Sequence, residues 1–325
     1  VSVEPAIPGM RISVWGNLIE IGGATAGSTT YTVTFAAELA DVWGQTLGEP
    51  VSVEFSFGHA EPYLRGFDRR FVTVDPMAAT PAVSVHTVNH DSVHVTAWAV
   101  GPDQLDAFAR YQEQVWSDTR PPEPDWPMVL DTDVTIDADT DVPTETLVDL
   151  SAAFADGGTQ LVVRIASNLD LDRDDNLWWQ NQPTVAWVQQ TTLGIDAFAD
   201  SQRLVIWSTD LATGDPVPGV TVDLLGRGDS VTTDAQGLAT IELTEAMIHG
   251  LWATDATNAG RTALLTQGWW GGWQVSERGD EGRWFVFDDR GLYKPGETAR
   301  VAGWVRHLDW SADAQLALYE GDVTL

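Results

Sequence analysis

The sequence predicts an all-β fold class, with antiparallel β-sandwich domains arranged in tandem. Short stretches that alternate apolar and polar residues recur along most of the chain, which is the period-two pattern of half-buried strands. Gly, Pro, Asn and Asp separate these stretches at the spacing typical of sandwiches. Helical periodicity is confined to short segments, so strands are expected to form the framework.

The predicted strands follow one another from end to end. They cover residues 11–15, 31–35, 51–57, 83–87, 93–100, 161–165, 185–189, 203–208, 220–225, 238–243 and 284–287. Trp15, Gly16 and Asn17 predict a hairpin turn, because Gly and Asn tolerate positive φ. Two short helices are also predicted, one at 103–115 with its apolar residues on one face and one at 244–249.

The turn and loop residues that separate these strands predict four domains. The first looks too short for a complete sandwich, the second carries an acidic and Pro-rich insertion at 117–143 that we expect to be solvated, and the last is expected to be truncated after two or three strands. The predicted domains are residues 1–58, 59–182, 183–282 and 283–325.

The charge balance excludes several classes of function. Lys and Arg number 17 against 48 Asp and Glu, for a formal net charge of −31. A nucleic-acid partner needs a basic face, and none is expected here. No stretch approaches the roughly 20 apolar residues of a membrane helix, so no membrane insertion is expected. The count of 0 Cys excludes disulfides, thiol catalysis and Cys-based zinc sites from this sequence.

Three histidines suggest a metal site at first sight. His86, His90 and His94 would share one face of a strand, but each step of four residues spans about 13 Å. That separation is too large for one metal ion. We therefore expect no shared zinc site.

An acidic stretch at 168–176 partly matches a calcium loop. Asp170, Asp172 and Asp174 fall at the first, third and fifth positions of an EF-hand-like pattern. Asp175 stands where the pattern needs Gly, and Asn181 where it needs Glu. Ca²⁺ binding and a solvated acidic loop both stay open, and the departures favour the second. The acidic residues of 131–141 are interpreted in the same way.

Tryptophan is abundant, with 16 residues, several of them near the predicted domain boundaries. Such a cluster favours either packing between domains or an exposed platform for carbohydrate, and the first is the more common use. The residues concerned are Trp178, Trp179, Trp269, Trp270, Trp273 and Trp284.

Several segments resemble one protein family in the order in which the family carries them. STDLATGDPVPGVTVDLLGRGDSVTTDAQGLATIEL at 208–243 resembles the middle of a macroglobulin-like domain of bacterial α2-macroglobulins. DDRGLYKPGETARVAGWVR at 288–306 resembles the entry strand and turn of the next such domain. Residues 8–57 are similar to the Ig-like module that precedes them, and residues 83–108 to the domain that follows that module. The resemblance implies tandem Ig-like and macroglobulin-like antiparallel sandwiches, with the first domain Ig-like and the other three macroglobulin-like.

The motif near the end of the chain carries most of this resemblance, and its role is expected to be structural. Pro295 and Gly296 predict the central positions of a type I or type II turn between two strands. The motif therefore identifies the fold without marking an active site. Its residues are Asp289, Arg290, Gly291, Tyr293, Pro295, Gly296 and Glu297.

The resemblance implies a function outside catalysis. Members of the family trap proteases when a bait segment is cut, and many carry a Cys-containing thioester, which this Cys-free chain lacks. The chain is therefore expected to be a scaffold fragment without enzymatic activity, catalytic residues, cofactor or bound metal. The implied partners are target proteases, met through the full-length parent, and other macroglobulin domains of the same chain. The implied location is periplasmic, cell-surface or extracellular.

Two other functions stay open at this point. An adhesin or surface stalk would also be a string of sandwiches, and a carbohydrate-binding accessory module would use exposed, coplanar Trp residues. The fold class alone does not choose among the three, because sandwiches serve all of them.

Overall fold

The computed structural model describes residues 1–117, 122–171, 176–258, 261–268, 271–276, 281–309 and 315–318. The chain divides into two compact units. The first is Val1–Gly194 with Leu211–Thr213 and Thr257–Ala263, and the second is Ile195–Asp210 with Gly214–Ala256 and Leu264–Leu325. Antiparallel strands dominate the described residues, which confirms the predicted all-β fold class. The division into four domains stays a prediction.

The first unit begins with a small antiparallel sheet and a separate hairpin. Its strands are β1 (Ser2–Glu4), β2 (Arg11–Trp15), β3 (Leu18–Gly22), β4 (Thr30–Phe35) and β5 (Val51–Ser56). The sheet has the order β1-β4-β5, and β2 pairs with β3 across a turn where Gly16 has φ +61°. Val3, Tyr31 and Val33 form the buried cluster of this sheet.

The rest of the first unit is built on two further sheets. Its elements are β6 (Tyr63–Arg65), β7 (Phe71–Val74), β8 (Ala82–Val88), β9 (Ser92–Ala99), a 3₁₀ turn (Pro102–Gln104), α1 (Leu105–Ser117), β10 (Met128–Thr135), β11 (Thr144–Asp149), α2 (Ser151–Gly157), β12 (Gln160–Ser167), α3 (Asn176–Gln180) and β13 (Thr184–Gln190). One sheet has the order β10-β9-β12-β13-β7, with β7 parallel to β13, and the other has the order β11-β8-β6.

The two sheets and α1 form three layers. Val93, Val95 and Leu161 of the five-stranded sheet are buried in one cluster with Val83 and Val85 of the three-stranded sheet. On the opposite face of the five-stranded sheet, α1 packs its aromatic side chains against tryptophans of the strands. The ring contacts are Phe108 with Trp187 and Tyr111 with Trp98.

The two helix predictions have different outcomes. The helix at 103–115 is confirmed by α1 and the 3₁₀ turn before it. The helix at 244–249 is wrong, because Ile248 pairs instead with Trp273 through two backbone hydrogen bonds of 2.8 and 2.9 Å. Pairing with a residue distant in the sequence outweighs the weak local preference for helix. Among the described residues, no helix combines the length and the hydropathy needed to cross a membrane.

The predicted solvated insertion at 117–143 needs a correction. Met128–Thr135 form β10, which pairs with β9 over most of its length. Asp131 and Asp133 are exposed on this strand, which lies at the edge of the sheet, and charged side chains on an edge discourage further strand pairing. This part of the insertion belongs to the sheet.

The later strands form three further antiparallel sheets. They are β14 (Leu193–Ala199), β15 (Arg203–Asp210), β16 (Thr221–Leu225), β17 (Ser230–Thr232), β18 (Leu238–Glu242), β19 (Gly250–Asp255), β20 (Arg261–Leu265), β21 (Glu281–Asp288), β22 (Val301–Asp309) and β23 (Gln315–Leu318). The sheet orders are β14-β15-β18, β17-β16-β19-β20 and β21-β22-β23. Leu204, Ile206, Val222, Leu224 and Leu251 are buried on the first two of these sheets.

Candidate functional site

The connection between β21 and β22 holds the sequence motif that carried the family resemblance. Asp289 organises its two ends: the Tyr293 hydroxyl donates to Asp289 Oδ1, and the Arg300 N–H donates to the same oxygen at 3.4 Å. The Asp289 N–H donates in turn to the Arg300 carbonyl at 3.1 Å. The hydrogen bond from Tyr293 lowers the pKa of Asp289, so the carboxylate stays charged at neutral pH.

The turn itself lies between Lys294 and Glu297. The Glu297 N–H donates to the Lys294 carbonyl at 3.1 Å, with Pro295 and Gly296 at the central positions. Gly296 has φ +88° at the third position of the turn, and a positive φ that follows a proline at the second position identifies a type II turn. Pro295 supplies the fixed negative φ that precedes it.

Arg290 completes the motif. Its guanidinium lies 3.6 Å from Asp289 Oδ2, 3.6 Å from Glu297 Oε2 and 5.0 Å from the centre of the Tyr293 ring. The charged side chains of the motif therefore contact one another at the surface. Such contacts hold a loop in one shape.

The three histidines do not share a strand face, so the expected arrangement was wrong. His86 lies on β8, His90 follows it in the connection to β9, and His94 lies on β9 in the other sheet. Buried His90 is within 2.8 Å of Asn181 Oδ1 through Nε2, which gives it a structural role. The ring nitrogens of His94 lie 3.0 and 2.9 Å from carboxylate oxygens of Asp131 and Asp133.

The calcium candidate is described only in part. Asp170 is exposed, while Asp172 and Asp174 lie outside the described residues. Within the described ranges, no group of three or more His, Asp or Glu residues has a geometry that could hold a metal ion. The solvated acidic loop therefore stays the prediction for this stretch, with Ca²⁺ binding as its alternative.

Asp141 departs from the expectation of a solvated acidic loop. Its side chain is only 9% exposed. Oδ1 accepts hydrogen bonds from the Ala60 N–H at 2.8 Å and the Asn89 Nδ2–H at 2.9 Å. Oδ2 accepts from the Ser28 hydroxyl at 2.9 Å and lies 3.0 Å from His59 Nδ1. We call these five residues the Asp141 junction. No local pattern predicted it, because its members come from four distant stretches of the chain.

The backbone at the Asp141 junction is strained. Ser28, Asn89 and Asp141 have φ of 50°, 52° and 66°, and they are the non-glycine residues with positive φ in the described part of the chain. This conformation costs most non-glycine residues roughly 1–2 kcal/mol each, and asparagine and aspartate adopt it more readily than the others. Residues held in this way persist only when the surrounding contacts fix them. The hydrogen bonds to Asp141 supply those contacts.

The Ser, His and Asp of the junction do not form a catalytic triad. In a triad the serine and the aspartate bond opposite nitrogens of the imidazole. Here Ser28 Oγ and Asp141 Oδ2 both lie 3.0 Å from the same atom, His59 Nδ1. The proton of Ser28 goes directly to Asp141, so the serine is not activated as a nucleophile. The junction is suited to holding segments together.

The Asp141 junction should open only in strong acid. Hydrogen bonds to the carboxylate, led by that from Asn89, lower the pKa of Asp141 from 3.8 to about 2. Because the folded pKa is depressed, the stabilising contribution is complete above pH 3.8 and is lost as the pH falls through about 2. A carboxyl NMR titration should give an Asp141 midpoint well below 3.8. A midpoint at or above 3.8 would contradict the expectation.

The sheet of β21, β22 and β23 exposes an aromatic face. Phe285, Phe287 and Trp304 contact one another with ring centres 5.7–6.0 Å apart, and all three side chains are exposed. Leu316 and Leu318 are also exposed on this sheet. Phe285 pairs with Trp304 and Arg306 with Leu318 in the register, which places the aromatic side chains and Leu318 on one face.

The tryptophans singled out in the sequence have different surroundings. Trp178 and Trp273 are buried, which disfavours their use as a carbohydrate platform, whereas Trp179 and Trp284 are exposed. Trp269 and Trp270 lie outside the described residues.

The comparisons with known proteins identify similar folds. No family model matches the sequence, and no curated protein matches it either. A crystal structure of native Escherichia coli α2-macroglobulin spanning domains MG0-NIE-MG1 is similar with a TM-score of 0.50 and 20% identity, over 79% of this chain and 81% of that one. A crystal structure of a Salmonella α2-macroglobulin mutant has a TM-score of 0.49 and 20% identity, over 96% of this chain but 20% of that one. Over most of its length, the chain is therefore similar in fold to this segment of a bacterial α2-macroglobulin.

Proposed function

We propose that this chain is a scaffold segment of a bacterial α2-macroglobulin-like inhibitor that traps a broad range of endopeptidases after bait cleavage. The supporting observation is the likeness to the E. coli segment, which extends over 79% of this chain and 81% of that segment. The turn motifs at 208–243 and 288–306, recognised independently in the sequence, occur in the order that the family carries them.

The described residues support a mechanical role. The polar groups of the motif loop bond to other groups of that loop, and those of the Asp141 junction bond to other groups of the junction. The geometry of Ser28, His59 and Asp141 does not activate a nucleophile. A segment of this kind holds a larger assembly in one shape until cleavage elsewhere changes the balance between two conformations. In this proposal the segment is not an enzyme.

The proposal includes partners and location. The direct partners of the segment are other macroglobulin domains of the same polypeptide, and target proteases are met by the whole protein. The whole protein functions in the periplasm, at the cell surface or outside the cell. The high negative charge, −31 over 325 residues, disfavours an anionic partner such as nucleic acid.

The test uses the whole protein that carries this segment. It is incubated with a panel of endoproteases, and the residual activity is assayed in parallel on a large protein substrate and on a small peptide. A trapped protease should lose activity on the large substrate and keep it on the peptide. Proteases blocked at their active site, which cannot cut a bait, should stay untrapped.

A second arm tests the role of the segment. The 325-residue chain alone should protect no substrate, because it contributes only scaffold. If the chain alone inhibits the proteases, the scaffold role is wrong. If the whole protein blocks neither activity and is not nicked at a preferred site, the inhibitor proposal fails and a surface stalk becomes the better explanation.

A further inference from the structure

We propose that Asp141 fastens residues 1–58 to the β-sandwich that follows them, and that loss of its hydrogen bonds frees this segment to move about residues 58–60. The proposal does not depend on protease trapping. It concerns a contact within the first compact unit, where a single carboxylate joins stretches of chain that are far apart in sequence.

The partners of Asp141 come from both sides of the connection. Ser28 precedes β4 in the first sheet, and its hydroxyl reaches across 113 positions to Asp141. His59 and Ala60 follow β5 and form the connection itself. Asn89 lies between β8 and β9 in the sandwich. One side chain thus bonds the first sheet, the connection and the sandwich together.

Asn89 bonds to both the backbone and the side chain of Asp141. Its Oδ1 accepts a hydrogen bond from the Asp141 N–H at 2.7 Å, while its Nδ2–H donates to Asp141 Oδ1 and to the Ala60 carbonyl at 2.7 Å. The backbone and the side chain of Asp141 are therefore both held. The Ser28 N–H donates to the Gly58 carbonyl at 2.8 Å, which fixes the start of the connection in the same place.

The apolar cores do not provide the same link. Val3, Tyr31 and Val33 form the buried cluster of the first sheet, which shares no residue with the large cluster of the sandwich. Polar contacts at the junction therefore carry much of the attachment. Ser28 also holds a strained backbone conformation, and release of the carboxylate lets this strain relax.

The carboxylate is required in its full form. Oδ1 and Oδ2 each face donors, with Ala60 N–H and Asn89 Nδ2–H on one oxygen and the Ser28 hydroxyl on the other. An asparagine has only one acceptor oxygen. With that oxygen kept at the Oδ1 position, the Ser28 hydroxyl loses the oxygen to which it donates and must turn to accept from the NH₂ group, and the remaining hydrogen bonds lose the charge of the carboxylate. Gly27 also closes over the carboxyl: a Cβ at this position would lie 2.6 Å from Asp141 Cγ. Asp141→Asn is therefore a sterically neutral change that should weaken the contact.

Spin labels can report the movement. The count of 0 Cys allows one label at Glu54→Cys on β5 and one at Glu145→Cys on β11, both exposed positions. We expect a single narrow distance distribution in the parent and a broad one in Asp141→Asn. The matched control is Asp139→Asn, which removes the same charge from an exposed residue of the same loop and should leave the distribution narrow.

Hydrogen exchange separates local release from unfolding. In Asp141→Asn the Ala60 amide should exchange about tenfold faster, a ratio that corresponds to about 1.4 kcal/mol. The amides of β9 and β12 in the sandwich core should keep their protection. If Asp141→Asn does not fold, Ser28→Ala removes one hydrogen bond and should give a smaller effect in the same direction. Distance distributions and Ala60 exchange that match those of Asp139→Asn would overturn the proposal.

Discussion

Replacing Trp187 with alanine should lower the free energy of unfolding of the first unit by about 3–5 kcal/mol. The Trp187 side chain is 1% exposed between β13 and α1. Its ring centre lies 5.6 Å from that of Phe108 and 6.5 Å from that of Phe71, and its Nε1–H donates to Gln160 Oε1 at 2.8 Å. The substitution creates a cavity beneath α1 and leaves a buried acceptor without its donor.

Denaturant unfolding, followed by hydrogen exchange of β12 and β13, would measure this loss. The matched control is Trp43→Ala, since the Trp43 side chain is 84% exposed. That control should change the free energy of unfolding by no more than about 0.5 kcal/mol. Similar losses for both variants would mean that α1 does not pack on the sheet as described.

Replacing Gly237 with alanine should destabilise the second unit by about 2–5 kcal/mol. Gly237 has φ +73°, a conformation that costs alanine roughly 1–2 kcal/mol. A Cβ at this position would also lie 2.5 Å from the Ser208 carbonyl oxygen, and relieving such an overlap costs about 1–3 kcal/mol. The Ser208 N–H donates to the Gly237 carbonyl at 2.8 Å, so the shift would disturb the link between this turn and β15.

Gly214 provides a control with the same backbone conformation. Its φ is +77°, but a Cβ there would meet nothing within 4 Å. Gly214→Ala should therefore cost only the roughly 1–2 kcal/mol of the backbone term. Exchange of the Ser208 amide under native conditions would compare the two variants. Equal effects would show that the close approach to Ser208 is unimportant.

The strands were predictable where the pattern is local. The alternation in 203–208 and 220–225 has a period of two because one face of each strand is buried, and β15 and β16 occupy these positions. The helix at 103–115 was equally visible, since Phe108 and Tyr111 fall on its buried face. Burial of one face imposes a period on the sequence, and the period can be recognised without the structure.

Features that depend on distant partners were not predictable. The helix expected at 244–249 gave way to the bridge between Ile248 and Trp273. The three histidines were expected on one strand face, but they lie on different elements because the chain passes from one sheet to the other at Asn89 and His90. A single sequence contains no signal for such crossings.

The Asp141 junction is the clearest example of this limit. The residues that bond its carboxylate lie 52, 81, 82 and 113 positions away. In the sequence Asp141 ends an acidic run and is not distinguishable from its neighbours. The sequence offers one weak signal for the junction, which is that Asn and Asp adopt positive φ more readily than most residues, as Asn89 and Asp141 do here.

The parallel pairing of β7 with β13 has a consequence for the order of folding. Phe71 lies opposite Trp187 in this register, and β13 also pairs with β12. Contacts between residues so distant in sequence are slow to form, because the long intervening loop must close before the pairing stabilises anything. During synthesis from the N-terminus, β7 must therefore wait for its neighbour until Gln190 has left the ribosome, whereas the hairpin of β2 and β3 can form early.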